Sequence, residues 1–257
     1  MPQLATQHLR IIYGIAVVHS VFMVAWCVGS VFFHERMKRF ETSPGGGYMP
    51  HRLFSKYEGH TLVYATHIAP AIFWSLCVPF QFHPQARRRF PRCHRYLGRV
   101  FIGTSFLMVV GVVVIVHRGL TWEHFVNGDD GAHEENAYAI LLLPGSRRYS
   151  WIDLALAAIA GVFAYTAWVA VGHARRRERR EHQIWMIRHV GWGLWVVSQR
   201  ILIGAVLGPV FRALYGTDGA FHARGRHYAF AGSGVAGILV SVGMAEYAIA
   251  LLRRKQQ

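Results

Sequence analysis

Apolar residues along this 257-residue chain gather into long unbroken runs instead of alternating with polar ones. Runs of about 20 are what a helix needs to cross a bilayer. The pattern predicts helices near 9–33, 61–82, 97–117, 151–173, 184–211 and 228–252. An all-α, polytopic membrane protein follows, a bundle of six transmembrane helices forming a single integral-membrane domain over 1–257. A seventh apolar piece, AYAILLLPG at 137–145, is too short to cross and ends in Pro-Gly, which favours a re-entrant or surface-lying segment. No small-residue cleavage site follows the first run, so it is expected to stay as a helix.

Charge then orients the spans. The net charge is +15, and the basic residues crowd into the short connections. Arg87, Arg88, Arg89, Arg92 and Arg95 fall in or beside one of them, Arg175, Arg176, Arg177, Arg179 and Arg180 in another, and Arg253, Arg254 and Lys255 follow the last span. The longer connections, 34–60 and 118–150, mix their basic residues with Glu35, Glu41, Glu58, Glu123, Asp129, Asp130, Glu134 and Glu135. Positive-inside bias therefore puts both termini in the cytoplasm of a multi-pass protein of the inner (cytoplasmic) membrane. The stretches ETSPGGGY and NGDDGAHEEN then face outward. The expected partners of the basic runs are the bilayer and its anionic lipids; no basic helix or RNA-binding motif points to nucleic acid. Cys27 belongs to one membrane face and Cys77 and Cys93 to the other, so no disulfide framework is expected.

Polar residues inside the spans carry the functional information, because a bilayer excludes them unless they pair or serve a site. These are His19, His67, Arg188, His189, Arg200 and Glu246. At about 100° per residue, His182, His189, Gly193 and Arg200 fall in one stripe of the fifth helix. Trp185 and Met186 flank it, and Gly193 removes bulk in its middle, as though a flat ligand lay there. In the second helix His60 and His67 share a face, with Pro70 beyond them to free a carbonyl or bend the helix. For His19 an interhelical hydrogen bond is the simplest reading, and for Glu246 pairing with a loop arginine or reaching the interface.

HIAPAIFWSLCVPFQF, RRRFPRCHRYLGRV and HQIWMIRH followed by Arg200 together resemble the predicted bacterial membrane proteins called domain of unknown function 2306. That family is similar in a His within one helix, Pro-Phe-Gln-Phe at its end, His-Arg-x-x-Gly-Arg opening the next, and His-x-x-Trp-Met-x-Arg opening a later one. The likeness covers His67 to Arg200 and points to His67, Gln81, His94, Arg95, Gly98, Arg99, His182, Trp185, Met186, Arg188 and Arg200. It implies no activity. Val78 stands where Gly is expected, and His189 where a small polar residue is commoner.

His94 and His182 open helices on the same side and at the same depth, so they are expected to meet in one basic site. One reading is a b-type haem protein with His67, His94, His182 and His189 as candidate axial ligands. Gly98, Gly103 and Gly193 would admit the macrocycle and Arg95, Arg99 and Arg188 would meet its propionates, with quinone or another electron-transfer partner completing the path. The alternative is a non-haem membrane enzyme acting on an anionic, lipid-like substrate. There His94 and His182 act as catalytic acid and base, while Gln81, Arg88, Arg95, Arg99, Arg188 and Arg200 bind the ligand's polar groups and Trp185 covers its tail. Transport is a third class, suggested by Arg200 and the proline-interrupted second helix, without an inverted repeat. A metal hydrolase lacks its His-x-x-x-His pair.

Overall fold

A computed structural model describes residues 2–33, 35, 36, 39, 53, 55–83, 85–121, 149–215 and 219–254. The segments ETSPGGGY, NGDDGAHEEN and 137–145, to which the sequence assigns loop and re-entrant roles, lie outside these. Six long helices dominate the described chain, beside the short turns Ser55–Tyr57 and Ala86–Arg89, and each of the six contains a stretch long and apolar enough to cross a membrane. They are α1 (Pro2–Phe32), α2 (Thr61–Phe82), α3 (Pro91–Arg118), α4 (Trp151–Arg175), α5 (Arg179–Leu202, continued by Ile203–Leu207 and Gly208–Tyr215) and α6 (Gly219–Arg254). No strand occurs among the described residues.

Consecutive helices run up and down, so the start of α1, the α2–α3 and α4–α5 connections and the close of α6 share one end, called here the basic end. His8 on α1 and Tyr247 on α6 meet there, Nδ1 to Oη, at 2.8 Å. At that end α3 and α5 begin earlier than their apolar runs, at Pro91 instead of 97 and at Arg179 instead of 184. Proline is pre-organised for a first helical turn, and Arg, Glu and Gln are good helix formers outside the apolar zone. His94 and His182 are therefore first-turn helical residues.

The turn between α4 and α5 is compact. Arg177 takes a left-handed conformation (φ 63°), its N–H bonds to the Ala174 carbonyl at 3.1 Å, and that of Glu178 reaches back to His173 at 2.9 Å. This double closure satisfies the last carbonyls of α4 and returns the chain within three residues. Gly119 ends α3 in the same way (φ 64°). Across the opposite end Asp153 is fully buried. It accepts from Thr121 Oγ1 at 2.8 Å and from the Ser150 N–H at 3.0 Å, while its own N–H donates to Ser150 Oγ at 3.1 Å. That capping box ties the close of α3 to the start of α4. Asp153→Ala is expected to cost about 2 kcal/mol, because a cap is lost and two buried donors are orphaned. Thermal unfolding in detergent checks it against Ser150→Ala, whose loss should be smaller.

Two places show how close the helices approach. In α2 a π-helical turn, Tyr64–Ile68, precedes Pro70, absorbing the hydrogen bond that proline cannot make. A Cβ added to Gly111 of α3 would stand 2.6 Å from His67 Cβ and 2.8 Å from the Thr66 carbonyl oxygen, so only glycine fits at this crossing. The bundle centre is aromatic: Trp74 stacks on Phe101 (centroids 5.0 Å apart, 20° between planes), and His189 stacks on Phe163 (4.2 Å, 23°).

Candidate functional site

At the basic end α5 brings His182 beside the last turns of α4. Its Nδ1 lies 2.8 Å from the Ala170 carbonyl. A carbonyl only accepts, so Nδ1 carries the proton and the neutral ring turns its Nε2 lone pair to the other side. His94, on the facing helix α3, lies within electrostatic range of His182, and the Arg87 guanidinium acts on both. Each ring is partly buried. The Nδ1 of His94 is shut off from solvent and has no hydrogen-bond partner. Its backbone is fixed all the same: the His94 carbonyl accepts from the Gln81 side-chain amide at 3.1 Å, and that amide covers the open side of Gly98. Gln81 thus splices α2 to α3.

The loop beside the pair carries its own ion cluster. His173 Nδ1 lies 2.5 Å from Glu178 Oε2, and Arg176 Nε donates to both oxygens of Glu178 at 3.1 and 3.2 Å. These contacts hold the Glu178 carboxyl below its usual range, His173 contributing most. The turn keeps a carboxylate at neutral pH, next to a site otherwise positive.

The other residues expected here are distributed differently. Arg88, Arg95 and Arg99 are exposed, as is Arg87. Positions 95 and 99 are one turn apart on the side of α3 away from Phe101 and Ser105, whereas His94 shares the inner side with Phe101, seven residues on. Of the arginines in that run Arg87, not Arg88, Arg95 or Arg99, acts on the pair. Arg188 is already paired: two of its five N–H donors, on Nε and Nη2, go to Glu246 at 2.7 and 3.2 Å, and its guanidinium lies 4.8 Å over Trp185. Glu246 therefore pairs with an arginine of α5 and not with a loop arginine. Trp185 is held between that cation and the edge of Tyr165 (5.8 Å).

The stripe His182, His189, Gly193, Arg200 does not form one ligand groove. His189 is completely buried. Its Nδ1 faces the Phe163 carbonyl and Thr166 Oγ1, each at 3.1 Å, and its Nε2 accepts from Ser105 Oγ at 2.9 Å with Trp74 Nε1 at 3.5 Å. Both nitrogens are engaged, which removes His189 as an axial ligand of this fold. The space left by Gly193 is filled by the Trp74 indole and the Phe163 ring. Gly103 opens outward, with nothing within 4 Å of an added Cβ. Of the three glycines, Gly193 is therefore occupied, Gly98 is covered by Gln81 and Gly103 faces outward. His67 Nδ1 lies 3.3 Å from the Met108 carbonyl, while His60 takes Arg118 as its neighbour at 3.2 Å, so neither histidine pairs with the other. His19 bridges Ile15 O and Ser198 Oγ (2.9 and 3.2 Å), an α1–α5 link of the kind expected. Among the described residues no three His, Cys, Asp or Glu side chains stand together as a metal site.

Arg200 lies toward the opposite end, away from the pair. Its guanidinium carbon is 5.4 Å from the Trp26 ring centre and 5.1 Å from that of Phe230. Tyr57, in the turn before α2, is an electrostatic neighbour; burial pushes its phenol up, so it stays neutral and offers no counter-charge.

The described chain is thus all-helical, with six helices long and apolar enough to span a membrane and with His94 and His182 near arginines at one end. No family model, no curated protein and no solved structure matches the chain, so the resemblance noted above rests on its motifs alone.

Proposed function

We propose that the protein binds an anionic amphiphile at the basic end and exchanges protons with its headgroup through His182 and His94. The basic end is read as cytoplasmic, in the inner membrane, from the arginines of its two connections. One observation carries the reading: with Nδ1–H tied to Ala170 at 2.8 Å, His182 offers a fixed Nε2 lone pair next to a second imidazole that has a buried, unpartnered nitrogen. A fixed tautomer is what a proton acceptor needs, since the ring does not have to reorient before the transfer. Arg87 would attract the oxyanion, and the exposed Arg92, Arg95 and Arg99 would concentrate acidic lipid around the site without touching the bound molecule.

The test separates a built site from a charged surface. Titration of detergent-solubilised protein with short-chain phosphatidylglycerol is expected to show affinity falling about 10-fold or more in His182→Gln and Arg87→Gln, the worth of one charge-assisted hydrogen bond. Arg95→Gln should bind like the parent chain. Equal losses in all three would reduce the site to surface charge.

The same tautomer argument favours a second reading. Ligating histidines commonly give their other N–H to a carbonyl, so His182 Nε2, with His94 opposite, would hold the iron of a b-type haem that exchanges electrons with quinone. Visible spectra before and after dithionite decide. A Soret and alpha band lost in His182→Gln would establish this reading, and a colourless folded protein removes it.

A further inference from the structure

At the end of the bundle opposite the histidine pair, Arg200 has no counter-charge among the described residues. Arg200 is partly buried, three residues before the π-helical turn Ile203–Leu207 of α5. Its Nε is shut off from solvent and makes no hydrogen bond. Its polar partner is the Gln199 side-chain oxygen, a long contact of 3.4 Å from Nη1, and that amide is itself committed to the Phe230 carbonyl at 3.1 Å. Trp26 and Phe230 present ring faces to the guanidinium, within an apolar cluster that includes Ile203 and Phe211. The electrostatic neighbours are a phenol, Tyr57, and a thiol, Cys27; among the described residues no carboxylate pairs with it. Two rings offset only part of the cost of removing a cation from water, and an unpaired buried charge is among the least favourable groups a fold can keep. Arginine also presents donors in a fixed fork that matches carboxylate and phosphate oxygens.

We propose that Arg200 anchors a second site, which takes one oxyanion carried on an apolar body, either a free long-chain carboxylate or the phosphodiester of an acidic lipid. The guanidinium donates to the oxyanion while Trp26, Phe230 and their apolar neighbours pack on the chain behind it. The site is separate from the histidine pair and does not depend on what that pair binds.

Native mass spectrometry of the full chain in a mild non-ionic detergent tests this, with oleate and phosphatidylglycerol as the two anionic probes and oleyl alcohol as the neutral control. One saturable copy of oleate or phosphatidylglycerol is expected in the chain whose His94 and His182 are replaced, and which of them binds identifies the source. Arg200→Gln should weaken that copy about 10- to 100-fold, the range of one or two charge-assisted hydrogen bonds. Replacing His94 and His182 should leave it in place. Ligand-free Arg200→Met should unfold at the same temperature as the parent chain or higher, since it loses an unpaired charge; a purely structural arginine would instead leave a less stable protein. If Arg200→Gln fails to fold, the chain with His94 and His182 replaced still decides: oleate or phosphatidylglycerol should raise its melting temperature and oleyl alcohol should not. Unchanged binding in Arg200→Gln, or no saturable binding and no thermal shift with either anion, would overturn the proposal.

Discussion

Replacing His189 with alanine is expected to lower stability by about 3 kcal/mol, within the 2–5 kcal/mol seen when a large buried side chain is truncated to alanine. The imidazole is completely buried, stacked at 4.2 Å on Phe163 and edge-on to Phe101 at 5.6 Å. Packing dominates the loss, because two of its polar neighbours have other acceptors. Ser105 Oγ can turn to the Phe101 carbonyl at 2.7 Å, and Thr166 Oγ1 to that of Phe163 at 2.9 Å. The Trp74 N–H would lose its acceptor, which adds part of the cost. Thermal unfolding in detergent measures the destabilisation. Ligand affinity at the basic end should be unchanged in whatever fraction folds, since His189 has both nitrogens engaged inside the bundle. A His189→Ala protein of normal stability would show that the aromatic centre does not hold the helices together as described.

Gly111→Val should be at least as damaging, costing about 3 kcal/mol or more. The first side-chain carbon alone would sit 2.8 Å from the Thr66 carbonyl oxygen and 2.9 Å from His67 Cα, and backbone atoms cannot rotate away. Relief requires α2 and α3 to separate at the π-helical turn, which also breaks the contact between His67 and Met108. Gly103→Val is the control, because an added carbon there meets nothing within 4 Å. A large drop in melting temperature for the first and little change for the second is expected; equal behaviour would contradict the close crossing.

Six spans are legible in the sequence because the bilayer imposes a length and a composition that no packing detail can disguise. Helix ends at the basic side are less so, since Arg92 and Glu181 stop an apolar run without stopping a helix. The candidate site is legible as two histidines at one depth. Which arginine joins them is not, because that depends on how α3 is rotated about its axis: His94 and Phe101 share the inner side, and Arg95 and Arg99 fall outside it. The stripe on α5 illustrates the same limit. His182, His189 and Arg200 lie along one helix, yet each meets a different neighbour, the Ala170 carbonyl, the Phe163 ring and the Trp26 ring. A glycine in such a stripe looks like space for a ligand until the indole of Trp74, 119 positions earlier, occupies it. Some signals were present and unused: Ser150-x-x-Asp153 ahead of an apolar run is a capping box, and Ser105 and Thr166 are hydroxyls in otherwise apolar runs that needed a buried partner.

The central claim is that His94 and His182 form one ligand site at the basic end. The most direct measurement is the native mass spectrum of the protein as purified, set against that of the His94→Ala/His182→Ala double variant at matched thermal stability. The account predicts a retained amphiphile of defined mass at the histidine pair of the parent protein, and a double variant that carries one copy fewer, with any copy held at Arg200 still in place. A double variant that folds and keeps the same number of bound molecules as the parent would contradict it.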